Sequence, residues 1–260
     1  MHSLKKAAFL ALPLAMGCAS GGKGANDPIR VLVYNIHAGT DAKRVNNLSR
    51  VAEVVRSSRA DIVLLQEVDN RTKRSGGVDQ LSELASKTGF HGRFGKAIDY
   101  DGGEYGIGIL SRWPIVSDSM IPLPVANPGA NYEARGALIA TISRPGTPMT
   151  MVNTHLDASR DEYRLQQAKG LVAIATEHNA TFVGGDFNSV PGSGVVALLS
   201  AAGFRDAYAD CGTGDGLSFP VDVPVKRIDY LMIAANVDCR SASVLSADAS
   251  DQRAVLFELR

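Results

Sequence analysis

Thr181 to Asn188 reads TFVGGDFN: a short apolar run that ends abruptly in a carboxylate, a phenyl ring and a carboxamide. The run, Thr181–Gly185, has the character of a buried strand, being apolar, β-branched and bounded by glycine. Asp186 at its lip is costly, because a carboxylate there loses water unless a donor, a cation or a metal faces it. Four further segments repeat the pattern. Asn35-Ile36-His37 closes the strand Ile29–Asn35 (IRVLVYN), and Gln66-Glu67 closes Asp61–Gln66 (DIVLLQ). Asn153-Thr154-His155-Leu156-Asp157 closes Met149–His155, and Arg227-Ile228-Asp229-Tyr230 opens Arg227–Ala234. One such end is ordinarily a capped turn or a satisfied ion pair. Five in one chain, all offering metal or phosphate ligands, point to a shared site.

Working outward, helical spacing of Val45, Leu48, Val51, Ala52 and Val55 predicts a helix over Lys43–Ser58. A second helix is expected over Asp79–Thr88, stopped by Gly89. A third covers Asp161–His178, with Leu165, Ala168, Leu171, Val172 and Ala175 on one face, and a short fourth covers Gly194–Ala202. Strands are expected at His91–Ile98, Tyr105–Ser111, Ile115–Met120, Ala134–Ile142, Val237–Leu245 and Ala254–Leu259. Many strands separated by a few helices imply an α/β fold of two packed sheets with helices outside.

The chain has 260 residues, 45% of them apolar, enough to bury a sizeable core. Its first 20 residues differ from the rest. Lys5 and Lys6 precede an apolar run, Ala7 to Met16, too short to span a bilayer, and the segment reads as a secretory signal peptide. Ala15-Met16-Gly17-Cys18 resembles a bacterial lipobox, which implies lipidation of Cys18, a membrane anchor and the periplasmic face of the outer membrane; ordinary secretion into the periplasm or beyond is the alternative. Residues 21–27 are then a flexible tether, and 28–260 the folded domain, expected to be a monomer. Cys211 and Cys239 either pair in that oxidising compartment or remain free thiols. Without Lys5 and Lys6 the chain carries 25 basic against 27 acidic residues. No basic surplus marks a polyanion-binding face, so nucleic acid is not the favoured partner.

The order NIH, QE, THL, GDFN, RIDY and a terminal SD segment resembles that of the endonuclease/exonuclease/phosphatase superfamily, from Ile29 to Leu259. The resemblance implies a four-layer α/β sandwich, two packed mixed sheets flanked by helices, with a phosphate-ester site at one edge. It implies Mg2+ or Mn2+ as cofactor, on Glu67 with Asn35 beside it and Asp251 in support. Asp186 would prepare the attacking water, Asn188 would fix water or a phosphoryl oxygen, and His155 would contact the phosphate. Asp229 would orient the family's terminal histidine. Arg135 would add a positive donor near the phosphate, or be a surface residue on its strand, and His37 would line the site or cap its strand.

The chain departs from the pattern at one place. Ser250-Asp251-Gln252 stands where the family has Ser-Asp-His. Gln252 can donate a hydrogen bond but carries no charge and cannot titrate. Impaired turnover is therefore expected, with His155, Arg253 or His37 in partial compensation. A phosphodiesterase acting on a small or lipid-borne ester is the reading favoured; a periplasmic nuclease and a phosphate-ester-binding protein without turnover are the alternatives.

Overall fold

The computed structural model describes Gly24 and residues 27–130 and 132–260. The expected signal peptide, the lipidation site Cys18 and most of the tether lie outside the described residues. The strands in chain order are β1 (Ile29–Asn35), β2 (Ile62–Asn70), β3 (His91–Tyr100), β4 (Gly103–Ser111), β5 (Ile115–Pro122), β6 (Gly136–Ile142), β7 (Met149–His155), β8 (Phe182–Asp186), β9 (Arg205–Asp206), β10 (Asp229–Ile233), β11 (Cys239–Val244) and β12 (Val255–Leu259). The helices are α1 (Leu48–Ser58), α2 (Gln80–Thr88), α3 (Asp161–Glu177), α4 (Gly194–Ala201) and α5 (Ala207–Cys211). One six-stranded sheet runs β11-β12-β1-β2-β4-β3, the other β5-β6-β7-β8-β10-β9. Each is mixed: β1 and β2 are parallel, as are β7 and β8, while the remaining neighbours are antiparallel.

Side chains alternate faces along a strand, and here both faces are apolar because both are covered. Val31, Val33 and Leu64 of the first sheet pack on Met151, Phe182 and Leu231 of the second. The intervening Leu32, Val63 and Leu65 lie under α1 and α2. Val152, Val183 and Met232 lie under α3 and α4. The result is the four-layer α/β sandwich expected from the sequence. Ala207 and Tyr208 of α5 enter the core between the sheets, and Cys211 at its end forms a disulfide with Cys239 of β11, their Cα atoms 5.7 Å apart. The pairing left open by the sequence is thus made.

Two local expectations change, and one stretch that the sequence left unassigned is structured. The first helix starts at Leu48 rather than Lys43, since Asp41 Oδ1 accepts from the backbone of Lys43 and Val45 and holds them in a turn. Val45 is accordingly exposed. Leu165 leaves the buried face of α3 and is partly exposed, its place in the core taken by Tyr163 and Gln167. The short β9 and α5 follow α4 in a stretch whose five helical residues carry too little periodicity to be read.

Candidate functional site

β1, β2, β7 and β8 all point the same way, so Asn35, Glu67, His155 and Asp186 emerge at one end of the sandwich, where β10 begins with Asp229. Two backbone irregularities aim these groups. β2 slips register between Leu65 and Val68, and Glu67 within that bulge has φ 56°, which turns its carboxylate out of the ladder into the site. Gly185 has φ 134°, and a Cβ there would stand 1.9 Å from Thr154 O, so the GDFN turn tolerates only glycine before Asp186. Beneath them Asn153 spans the sheets. Its Nδ2 donates to Leu65 O at 2.9 Å and Gly108 O at 2.8 Å, while its Oδ1 accepts from Gln66 Nε2 at 2.7 Å. Asn153 and Gln66, which the sequence offers as ligand-type residues, are the clamp that holds the bulge.

Asp186 is fully buried and sits at the centre. Its Oδ1 accepts from Asn188 N at 2.8 Å. Its Oδ2 accepts from Asn35 Nδ2 at 3.1 Å and Gln252 Nε2 at 2.7 Å. Burial raises its pKa above the ordinary carboxylate value, against the lowering effect of those donors. Asp229 is its cross-strand partner, and burial together with the Asp186 charge pushes the Asp229 pKa well above the ordinary carboxylate value.

The expected hydrogen bond between Asp229 and residue 252 is not made. Asp229 Oδ2 instead accepts from Ser218 Oγ at 2.5 Å, and Gln252 turns its amide nitrogen to Asp186. An imidazolium donates from both nitrogens, but a carboxamide has a donor on one side only. Asp229 Oδ1 and Gln252 Oε1 are both left buried without a partner among the described residues.

His155 is buried between donors. Arg135 Nη1 lies 3.2 Å from its Nδ1, and Asn188 Nδ2 lies 3.0 Å from its Nε2 and also donates to Leu156 O. Guanidinium and carboxamide nitrogens both donate, so Arg135 and Asn188 face the two ring nitrogens, between which a neutral imidazole offers one lone pair. Burial first and Arg135 second hold the His155 pKa well below its ordinary value, keeping the ring neutral. Nε2 lies 3.8 Å from Asp186 Oδ2, so the ring, the Asn188 amide and the buried carboxylate meet at one point of the pocket. Arg135 is buried, not a surface residue, and stands 2.7 Å from Glu133, with its Nε lacking a partner among the described residues.

The opposite wall is acidic. Glu67 and Asp251 line the same pocket of about 410 Å³ as Asp186, Gln252, Arg135 and His155. Burial, with the charges of Asp251 and Asp186, raises Glu67 from 4.5 to about 7, against the Asn35 hydrogen bond. Such a gathering of carboxylates fits a divalent cation, which would remove their repulsion. No three His, Cys, Asp or Glu side chains among the described residues stand in metal-ligating arrangement. Glu67 and Asp251 are the two carboxylates of this wall that would hold such an ion. Asn35 supports Glu67 from behind: its Oδ1 is taken by His37 N, and its Nδ2 donates to Glu67 Oε1 at 3.0 Å. The expected ligand oxygen accepts that one hydrogen bond and keeps its second lone pair.

His37 lines the pocket, Nε2 3.8 Å from Asp251 Oδ2. Arg253 is directed away, its guanidinium donating to Val221 O and Asp222 O, which removes it as a stand-in for the missing histidine. The sequence did not single out the outer wall beyond Glu67: Tyr100 lies with Arg74 4.5 Å over its ring, and Arg74 is anchored on buried Asp69.

A family model described as "Endonuclease/Exonuclease/phosphatase family" matches residues 32–251. An Escherichia coli K12 protein of uncharacterized function, YbhP, is 28% identical over 217 residues, 78% of this chain and 84% of YbhP. The fold is similar to that of an endonuclease/exonuclease/phosphatase from Beutenbergia cavernae (TM-score 0.74, 22% identity, 90% of this chain and 72% of that one). It is also similar to that of a mannosyl-6-phosphatase from Bacteroides thetaiotaomicron (TM-score 0.74, 17% identity, 89% and 99%). The enzymes of this fold are hydrolases of phosphate esters that generally depend on a divalent metal, and it is to their endonuclease/exonuclease/phosphatase family that the chain belongs.

Proposed function

We propose that the chain is a Mg2+- or Mn2+-assisted hydrolase of a small phosphate ester, a phosphodiesterase slowed by Gln252. The observation that carries this reading is the setting of Asp186: buried, oriented on both oxygens, and flanked by an acidic wall and a cationic one. A carboxylate whose pKa is raised by burial is a better base toward water than an exposed one. Glu67 and Asp251 would hold the cation, which when bound supplies Lewis-acid stabilisation of the charge gathering on phosphorus-bound oxygens. Arg135, His155 and Asn188 would receive the remaining oxygens. The concave, 410 Å³ site favours a small ester over a nucleic-acid duplex, as does the slight acidic surplus of the domain.

The test is hydrolysis of bis-p-nitrophenyl phosphate and p-nitrophenyl phosphate with Mg2+ or Mn2+. Slow, chelator-sensitive turnover that disappears in Asp186→Asn is expected. One observation favours a second reading, binding without turnover: the Gln252 amide caps the base that should be free to take a proton. Tight binding of inorganic phosphate with no turnover, in the chain as it stands and in Gln252→His, would establish that reading instead.

The proposed site of action is the periplasmic face of the outer membrane, through a lipid on Cys18, with the domain a monomer. Cys18→Ser is expected to move the protein from the membrane fraction to the soluble periplasm. Membrane retention of that variant would remove the anchor from the proposal.

A further inference from the structure

A second groove opens on the far side of Asn188 from the acidic wall. It has a volume of about 470 Å³ and shares Ala158, Asn188, Phe219 and Ile228 with the catalytic pocket, so the two are one continuous cleft with Asn188 at the waist. The second half is larger than a phosphoryl group requires and of a size that takes an organic ligand.

Its walls carry two kinds of surface. Leu165, Val190 and the Phe219 ring form an apolar side, and Leu165 and Val190 are left exposed on a molecule whose other leucines of α3 and α4 are covered. Against it stand the hydroxyls of Ser189 and Ser193 and the Arg164–Asp161 ion pair. Arg164 is only 12% exposed and is fixed by donating to Asp157 O at 2.9 Å, while Asp161 reaches into solvent. Lys226, at the mouth, makes no ion pair with a described residue.

We propose that this groove is the subsite for the organic half of the substrate, and that the group it takes is hydroxyl-rich: a sugar or polyol. The inference rests on the phosphate-ester reading above. A sugar presents hydroxyls to Asp161, Arg164 and the serines and its C–H face to Phe219 and Val190. An alkyl group would strip water from the ion pair and hydroxyls and return no hydrogen bonds. Lys226 at the entrance admits a second acidic substituent on the same group.

Phosphonates test this without turnover, because their C–P bond is not hydrolysed. Calorimetric titration of the full chain with Mg2+ would compare methylphosphonate, butylphosphonate, a hexose 6-phosphonate and an inositol phosphonate. One of the polyol compounds is expected to bind at least ~10-fold more tightly than methylphosphonate, a gain of about 1.4 kcal/mol. The hexose compound binding more tightly would indicate a free sugar phosphate, the inositol compound a lipid headgroup. Val190→Trp, at a position 48% exposed and outside the core, is expected to erase that gain and leave methylphosphonate binding unchanged. Leu165→Trp, on the same wall, serves as the second filling variant. Equal binding of all four compounds would overturn the subsite while leaving the phosphate-ester reading standing. A preference for butylphosphonate would overturn the polyol assignment. No binding of any phosphonate, methylphosphonate included, would sink the phosphate-ester reading and this inference with it.

Discussion

Gln252 decides how much chemistry the site retains. Its amide nitrogen is spent on Asp186 and its oxygen is buried without a partner among the described residues, so it neither carries charge to the phosphate nor engages Asp229. A histidine here could donate toward the substrate and be held by Asp229, whose Oδ1 is buried without a partner among the described residues. Gln252→His is therefore expected to raise turnover of bis-p-nitrophenyl phosphate by about 10²–10⁴-fold, the usual worth of a positioned acid–base group. An unchanged rate would mean that Arg135 and His155 already fill the role. A second prediction concerns Glu67. Its pKa is raised from 4.5 to about 7 chiefly by burial, so without metal the folded chain holds a proton that the unfolded chain releases. The stability it contributes is whole below pH 4.5 and is lost as pH rises through about 7. Asp186 and Asp229, also raised, act with the same sign. A chelator-treated sample should melt at progressively lower temperature across that window, and Mg2+ should restore the loss most at its upper end. Glu67→Gln should flatten part of the slope and abolish the Mg2+ response; a persisting response would remove Glu67 as a ligand.

At the scale of elements, the strands were legible because both faces are covered, which leaves continuous apolar runs such as Val31–Tyr34 and Ile62–Leu65 with little ambiguity. The lips of those strands were legible for the complementary reason: a polar group placed there needs a partner. Partnership was not. Whether Gln252 faces Asp229 or Asp186 depends on side-chain torsions across three strands, and nothing in the local sequence encodes it. The start of α1 was hidden by Asp41, whose side chain captures two backbone donors that periodicity assigns to a helix. Asn153 was legible as a motif residue but not as a clamp between sheets. That role makes a distinct prediction. Asn153→Ala strands Gln66 Nε2 and the carbonyls of Leu65 and Gly108 in the core, and should cost roughly 2–4 kcal/mol in urea unfolding, beyond the loss of one ordinary hydrogen bond. Because the clamp supports the Glu67 bulge, Mg2+ stabilisation should weaken as well. A loss below ~1 kcal/mol would mean that water replaces the amide.

Over the whole molecule, the two sheets are joined by their apolar faces, by Asn153 near the site, and by one covalent link remote from it. The Cys211–Cys239 disulfide ties α5, which lies against β10, to β11 at the edge of the other sheet. It closes a segment with a sequence separation of 28, for which restriction of the unfolded chain accounts for roughly 3–4 kcal/mol. The bridge also bears on where the chain works, since such links persist in oxidising compartments and are rare in reducing ones. Both arguments meet in one experiment. Protein recovered from the periplasm should show a single linked Cys211–Cys239 peptide on non-reducing mass spectrometry, and the Cys211→Ala/Cys239→Ala variant should lose the stated stability while its hydrolytic rate at low temperature stays unchanged. Alkylatable thiols in the periplasmic protein would mean that the pair does not close there and would remove the brace from the argument. A fall in rate at full foldedness would mean that the edge joined by the disulfide is coupled to Asp229 through β10, rather than acting only as a brace.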